Sequence, residues 1–348
     1  MTIFIKDSLR ASVEAASGGQ ITVLYTEKGQ PSHMFVQNAF NIEDVDAASG
    51  TGLHPMFKVN GVEKAERFIG AYPGIVSDGE LISLPGQDPT ASLNFDTFLA
   101  RARANGEGWG LMTNTDWSGI AMWCHKNGFR PRGNTTQGKS SDAPLEAGVR
   151  ADGLIPGAAG TARTLTGSGP ASWRHNNNNG GIADLCGNIN EWAPGLRLMD
   201  GEIQVLKDND AAMSTIDLSA ASSEWRAIDG ETGLLVAIGS ANAVKVATTG
   251  TANYTIVAAT SSKMESITNP GTTPVSEAGL KTLKLYGIYP FTSNMDGDGF
   301  YHNPEGERVP IRAGRWIHSA GAGVSSLSLI YARSYVSPAI GARPAFSL

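Results

Sequence analysis

The side chains in this chain that could do chemistry are six histidines, two cysteines and one run of alternating oxygen donors. The histidines at 33, 54, 125, 175, 302 and 318 show no His-x-x-x-His spacing, and Cys124 and Cys186 form no Cys-x-x-Cys pair. No nucleophile elbow marks a serine, so no catalytic residue is assigned. The oxygen run is NMDGDGFYHNPE, residues 294–305. It fits a twelve-residue calcium loop, with Asn294, Asp296 and Asp298 at positions one, three and five, a glycine at six and Glu305 at twelve. Ca²⁺ is the cofactor such hard donors would take. A polar hairpin with incidental carboxylates is the alternative, because the preceding YGIYPF run is strand-like. A second polar run, RHNNNNGG at residues 174–181, favours turns; it reads either as an edge of a binding face or as a plain surface loop.

Elements must position these groups, and the composition says which kind. The chain has 348 residues, 41% hydrophobic and 17% charged, with 42 glycines. That is too apolar for a disordered chain and suits many loops and short strands better than a helical bundle. A net charge of −6 gives no basic footprint for nucleic acid. No apolar run reaches 18 residues, so no membrane insertion is expected, and the first residues lack the apolar region of a secretory signal.

Three segments separate by pattern. Residues 1–55, with strand-like TIFI and ITVLYT and an acidic small-residue linker, read as an N-terminal assembly or attachment module. Residues 199–280 carry short β-type runs and read as an inserted β-rich module. Between and after them, residues 56–198 and 281–348 form the main domain. Helical spacing predicts helices near 93–105 and 115–127, the second capped by Asn114 or Thr115 and ended by Gly128. Residues 131–181 read as almost pure loop.

Three motifs inside the main domain occur in order. GWGLMTNTDWSGIAMW (108–123) offers Leu111, Thr113, Asp116 and Trp117; LCGNINEWAPGLRL (185–198) offers Gly187, Asn188, Glu191 and Trp192. The terminal segment 308–348 offers Arg312, Gly314, Trp316, Arg333, Gly341 and Arg343. Together they resemble the C-type lectin fold in its formylglycine-generating-enzyme branch, which implies an α+β domain. Trp192 and Trp316 then read as core aromatics, and Gly187 and Gly314 as positions of close approach or positive φ. Enzymes of that branch need a C-terminal cysteine pair, and residues 187–348 contain none. A formylglycine-generating or sulfatase-modifying oxidoreductase is therefore the disfavoured alternative, and no enzyme activity is expected.

Within the branch the chain is similar to variable proteins diversified by retroelements, among them phage tropism determinants. In that family mutated AAC-type codons cannot yield Lys, Glu, Gln, Met or Trp, and residues 317–348 contain none of these five. The varied, ligand-binding positions expected are Arg315, Ile317, His318, Ser319, Gly321, Ser328, Ile330, Tyr331, Tyr335, Val336, Ser337 and Pro338, with Ser325, Ala339 and Ala342 at the margin of that set. Tyr331 and Tyr335 are the expected anchors. The alternative is an ordinary surface loop and final strand that lacks those residues by chance. The resemblance implies a receptor-binding protein for a host cell-surface protein or glycan. It also implies a virion location at a tail-fibre tip, or else a bacterial or archaeal cell surface, and a homo-oligomer, expected as a trimer with residues 1–55 toward the virion.

Overall fold

The computed structural model describes residues 7–348, so the TIFI run lies outside the described residues. The architecture is mixed, with few helices and many short strands. The first helix, α1 (Ser8–Ser17), falls where the sequence suggested only strands. Asp7 caps it by accepting from the Arg10 N–H at 2.8 Å, and Gly18 closes it in the left-handed region. The acidic stretch read as a linker holds α2 (Ile42–Asp46), started by a capping box of Asn41 and Asp44. The two helices read from periodicity are present as α3 (Phe95–Arg103) and α4 (Asn114–Lys126). The cap of α4 is Thr113, one residue before the expected pair: its hydroxyl accepts from the Asp116 N–H, and the Asp116 carboxylate accepts from the Thr113 N–H. α5 (Glu277–Leu285), capped by Ser276, is a helix that the strand-like reading of this region passed over.

Three sheets carry the chain. A five-stranded antiparallel sheet runs in the order Ile21–Tyr25, Pro31–Asn38, Glu66–Gly70, Pro344–Phe346, Trp109–Leu111. The segment set apart as an N-terminal module thus supplies two strands to a sheet that the C-terminus completes. Its Ile21, Val23, Met34 and Phe35 are buried inside this chain. A six-stranded sheet orders Ser261–Lys263, Gly299–His302, Leu327–Leu329, Ile311–Arg312, Asn190–Trp192 and Ile340–Ala342. Its two parallel pairs bring the terminal segment beside strand Asn190–Trp192 and beside Gly299–His302. The third sheet holds the strands of residues 202–257 but also Leu196–Met199 and Glu307–Arg308, while Ser261–Lys263 from the same region joins the six-stranded sheet. Its core of Leu196, Ile203, Val205, Val244 and Ile256 continues into Phe300, Leu327 and Leu329 of the six-stranded sheet. No helix among the described residues is long and apolar enough to cross a membrane.

Candidate ligand-binding face

The motif residues build a buried polar frame. Arg67 donates to both oxygens of Asp116, the capping-box partner of Thr113 in α4, and neither side chain is more than 1% exposed. Arg343 donates to both oxygens of Glu191 and also to the carbonyls of Gly70 and Ala183, tying the final segment to three other strands and loops. Burial pushes the Glu191 carboxyl up, and the adjacent Arg343 works against that. Arg312 donates to Asn114 at the start of α4 and to the carbonyls of Gly287 and Ser325. Trp192 is fully buried against Phe95, and Trp316 packs with Ala162 and Ala339. Gly187 and Gly314 both have positive φ, +71° and +78°. At Gly187 an added Cβ would meet the Asn134 carbonyl oxygen at 2.3 Å, so a side chain there would break the loop approach.

From this frame the terminal segment leaves twice, over residues 313–326 and 330–339, between strands Ile311–Arg312, Leu327–Leu329 and Ile340–Ala342. Both excursions are held chiefly through main-chain atoms. The Trp316 carbonyl accepts from Gln137 N–H at 2.7 Å, and Ser319 N–H donates to the Thr135 carbonyl at 3.0 Å. The Tyr331 carbonyl accepts from Val309 N–H, that of Arg333 from Phe95 N–H, and that of Ser337 from Ser92 N–H. The Pro338 carbonyl takes a bond from the Arg163 guanidinium, itself paired with Asp88.

The side chains of most expected positions are consequently left free. Ile317, Ser319, Tyr335, Val336 and Pro338 are exposed, while Arg315, His318, Gly321, Ile330 and Tyr331 are half-buried. Tyr331 and Tyr335 stack with centroids 4.0 Å apart and planes at 11°. Burial, then Tyr335, raises the Tyr331 hydroxyl above its usual range, while Arg315 opposes the shift, placing that guanidinium close to the pair. Arg315 makes no ion pair among the described residues, and its Nε is enclosed without a partner. His318 lies against Tyr301, and burial pushes its imidazole down to about 4, so it is neutral at pH 7.

Some expected positions do not face solvent. Ser328 sits in the middle of strand Leu327–Leu329, between strands on both sides, and its enclosed hydroxyl has no partner. Ser337 is buried, with its hydroxyl accepting from Ala339 N–H at 3.2 Å. Ser325, Ala339 and Ala342 are buried as well. An extended stretch alternates faces or is covered on both, which a list of unfamiliar residues in a frame does not reveal.

The calcium reading is corrected by the structure. Strand Gly299–His302 carries the chain away directly after Asp298, and Glu305 comes three residues past the far end of that strand. Asp296 is paired with Arg130 and lies 3.9 Å from His125, Asn294 accepts from Asp296 N–H, and Asp298 accepts from Ser325 N–H. No three acidic, histidine or cysteine side chains gather as a metal group among the described residues. The polar run 174–181 holds itself in tight turns, with Asn176 linked to Gln20 and Asn178 to Gly180, on the side of α1 and strand Ile21–Tyr25. Both cysteines are free and buried, and burial holds both thiols above their ordinary range.

A cleft of about 540 Å³ between residues 206–235 and α5, lined by Leu206, Ile216, Leu235 and Tyr286, lies apart from this face and was not read from the sequence.

No protein-family model matches the chain, and no curated protein matches it. Among solved structures, Treponema denticola variable protein 1 is similar at a TM-score of 0.33 and 10% identity, covering 94% of this chain and 98% of that one. A likeness at that level fixes neither fold nor function.

Proposed function

We propose that the chain is a hypervariable ligand-binding protein with a C-type-lectin-like main domain, and that residues 315–338 present its recognition side chains. The observation that carries the reading is how that segment is held. Its anchors are chiefly backbone carbonyls and N–H groups at Trp316, Ser319, Tyr331, Arg333, Ser337 and Pro338, so the outward side chains can change without removing a support, while the Arg333 side chain, bonded to Glu307 and Asp96, stays fixed. The absence of five residue types from 317–348 agrees with diversification at adenines.

The chemistry of the surface favours a protein ligand over a glycan. Of thirteen exposed large apolar side chains among the described residues, seven lie at 145–155 and 317–336: Leu145, Val149, Leu154, Ile155, Ile317, Tyr335 and Val336. Backbone bonds tie Trp316 and Ser319 to Gln137 and Thr135, in the loop that leads into the first of these stretches. An apolar surface of this kind, with stacked tyrosines and one unpaired guanidinium, suits an interface with another protein. A host-surface receptor bound from a phage fibre is the specific form of this reading, and it makes the chain a binding protein, not an enzyme.

Sequencing the 3′ end of this gene across a natural population tests it. Variation confined to the exposed positions, with Arg312, Gly314, Trp316, Arg333, Gly341 and Arg343 constant, is the expected result. A uniform terminal segment, or variation spread evenly over the chain, contradicts it. Aldehyde formation on a cysteine-containing peptide would restore the enzyme alternative.

A further inference from the structure

We infer that Asp298 is the positioning residue of the turn 319–325, gripping that turn's backbone with its own carboxylate and no cation between them. The inference rests on the reading of this turn as part of the ligand face. Asp298 is only 4% exposed, and its Oδ2 accepts from Ser325 N–H at 2.7 Å. Its own backbone is fixed in turn: Asp298 N–H donates to the Met295 carbonyl, and the Asp298 carbonyl accepts from Met264 N–H. The turn lies directly on the carboxylate. A Cβ placed on Gly323 would come within 1.7 Å of Oδ1, 2.3 Å of Cγ and 2.5 Å of Oδ2, so a glycine is required there for as long as the carboxylate is present.

Two neighbours grip the same turn from other elements. Cys186 donates its thiol to the Ala322 carbonyl at 3.5 Å, and the His125 ring nitrogen Nε2 meets the Ser325 hydroxyl at 3.3 Å. The charged groups facing Asp298 are Asp296, Glu265, Arg130 and Arg312. Asp296 is taken up by Arg130, and Arg312 by Asn114 and two carbonyls, so neither guanidinium bonds the Asp298 carboxylate. Asp298 therefore spends its acceptor on the turn. A carboxylate that holds a backbone N–H acts whatever the side chains at Ser319 and Gly321 become. The calcium-like spacing of 294–298 is then the spacing of a tight turn that delivers one acid beneath the binding face.

The full-length chain and four variants test this: Asp298→Ala, Asp298→Asn, Gly323→Ala and the double variant Asp298→Ala/Gly323→Ala. Amide hydrogen exchange over residues 319–327 is the readout. Asp298→Ala should speed exchange at Ser325 by about tenfold, the loss expected for one buried hydrogen bond, whereas Asp298→Asn, which keeps an acceptor oxygen, should restore most of the protection. Gly323→Ala should disturb the turn in the native background and add nothing in the Asp298→Ala background, because the three colliding atoms are gone. Independent, additive effects of the two changes would overturn the inference. So would an Asp298→Asn variant as exposed as Asp298→Ala. Slower exchange on adding about 5 mM Ca²⁺ to the native chain, absent in Asp298→Asn, would overturn it in favour of a cation. If Asp298→Ala fails to fold, Asp298→Asn and Gly323→Ala still decide the matter. These results concern the turn alone, so additive effects leave the ligand-face reading standing, and a uniform population sequence leaves the grip of Asp298 standing.

Discussion

Two stretches with almost no regular structure, residues 131–181 and residues 313–342, pack against each other and are held in opposite ways. The first carries backbone bonds throughout and is braced in addition by its own side chains. Arg150 donates to the carbonyls of Ile155 and Ala158 and pairs with Asp152, and its side chain is fully buried. Glu146 takes Arg132 on one side and the Trp173 indole N–H, at 3.0 Å, on the other. Asn134 donates to the Ala162 carbonyl and to Asn188. The second stretch is braced mainly by backbone atoms, by side chains from elsewhere (Arg163, Cys186, Asp298) and by one frame side chain of its own, Arg333, which bonds Glu307, Asp96 and the Leu218 carbonyl. A loop of the first kind depends on its side-chain identities. A loop of the second kind keeps its path while its outward side chains change.

The largest effect that would sharpen this contrast is at Arg150. Arg150→Ala removes a buried guanidinium from two carbonyls and from the exposed Asp152, and should cost about 1–3 kcal/mol in unfolding free energy by denaturant titration. A loss below ~1 kcal/mol would break the claim that this loop is side-chain braced. Next comes Glu146→Gln, which removes a charge from the Arg132 pair and weakens the Trp173 bond; about 1–2 kcal/mol is expected by the same titration.

The paired change Tyr331→Ala/Tyr335→Ala should divide its effects. The stack itself is worth about 0.5–1.5 kcal/mol beyond the burial of the half-buried Tyr331 ring, while adsorption to host cells should fall by roughly thirtyfold or more if these are anchors of the proposed face. Unchanged adsorption with intact folding would remove the anchor role.

A pH effect separates His318 from the rest. Its folded imidazole titrates near 4, below the ordinary value, so between roughly pH 4 and 6.5 the unfolded chain binds the more protons. Stability contributed by the neutral ring is complete above that window and is lost as pH falls through it. His318→Asn should therefore lose less stability than the native chain between pH 6.5 and 4. Parallel curves for the two would contradict this burial-driven shift. His54 and His175, both near 3 through burial, act in the same direction, and Asp298, raised to about 7 by burial, acts in the opposite one, which is why the difference between two chains is the quantity to measure. The smallest effect is at Ile317, where replacement by Asn should change stability by no more than about 0.5 kcal/mol.

Legibility in the sequence followed the kind of force involved. Helices α3 and α4 were readable because burial on one face writes a periodicity, as at Phe95, Phe98, Leu99 and Ala102. Helices α1 and α2 were passed over although Asp7, Gly18 and Asn41 carried their caps in plain view; their apolar faces are weak and their neighbours look strand-like. The motif residues marked the buried frame, Arg343 with Glu191 and Arg312 with Asn114, because such pairs need particular side chains. Which C-terminal positions face outward was only partly readable, and Ser328 and Ser337 fell on the wrong side. The main-chain support of 315–338 leaves no trace in a sequence, since every residue carries the same backbone groups. The oxygen spacing of 294–305 looks alike whether the chain wraps an ion or runs into a strand, and the β-prone GFYH after Asp298 was the signal for the strand.

The most direct measurement randomises two sets of positions with the same mixed codons and compares how many members fold. One library varies Arg315, Ile317, His318, Ser319, Ile330, Tyr331, Tyr335, Val336 and Pro338; the other varies nine side-chain-braced positions of 131–181, Arg150, Glu146 and Asn134 among them. Thermal unfolding of a random sample from each is the readout. The account predicts that most members of the first library melt within about 5 °C of the native chain, a shift worth roughly 3–4 kcal/mol in a chain this long, and that most of the second do not fold. Equal losses in the two libraries would contradict it.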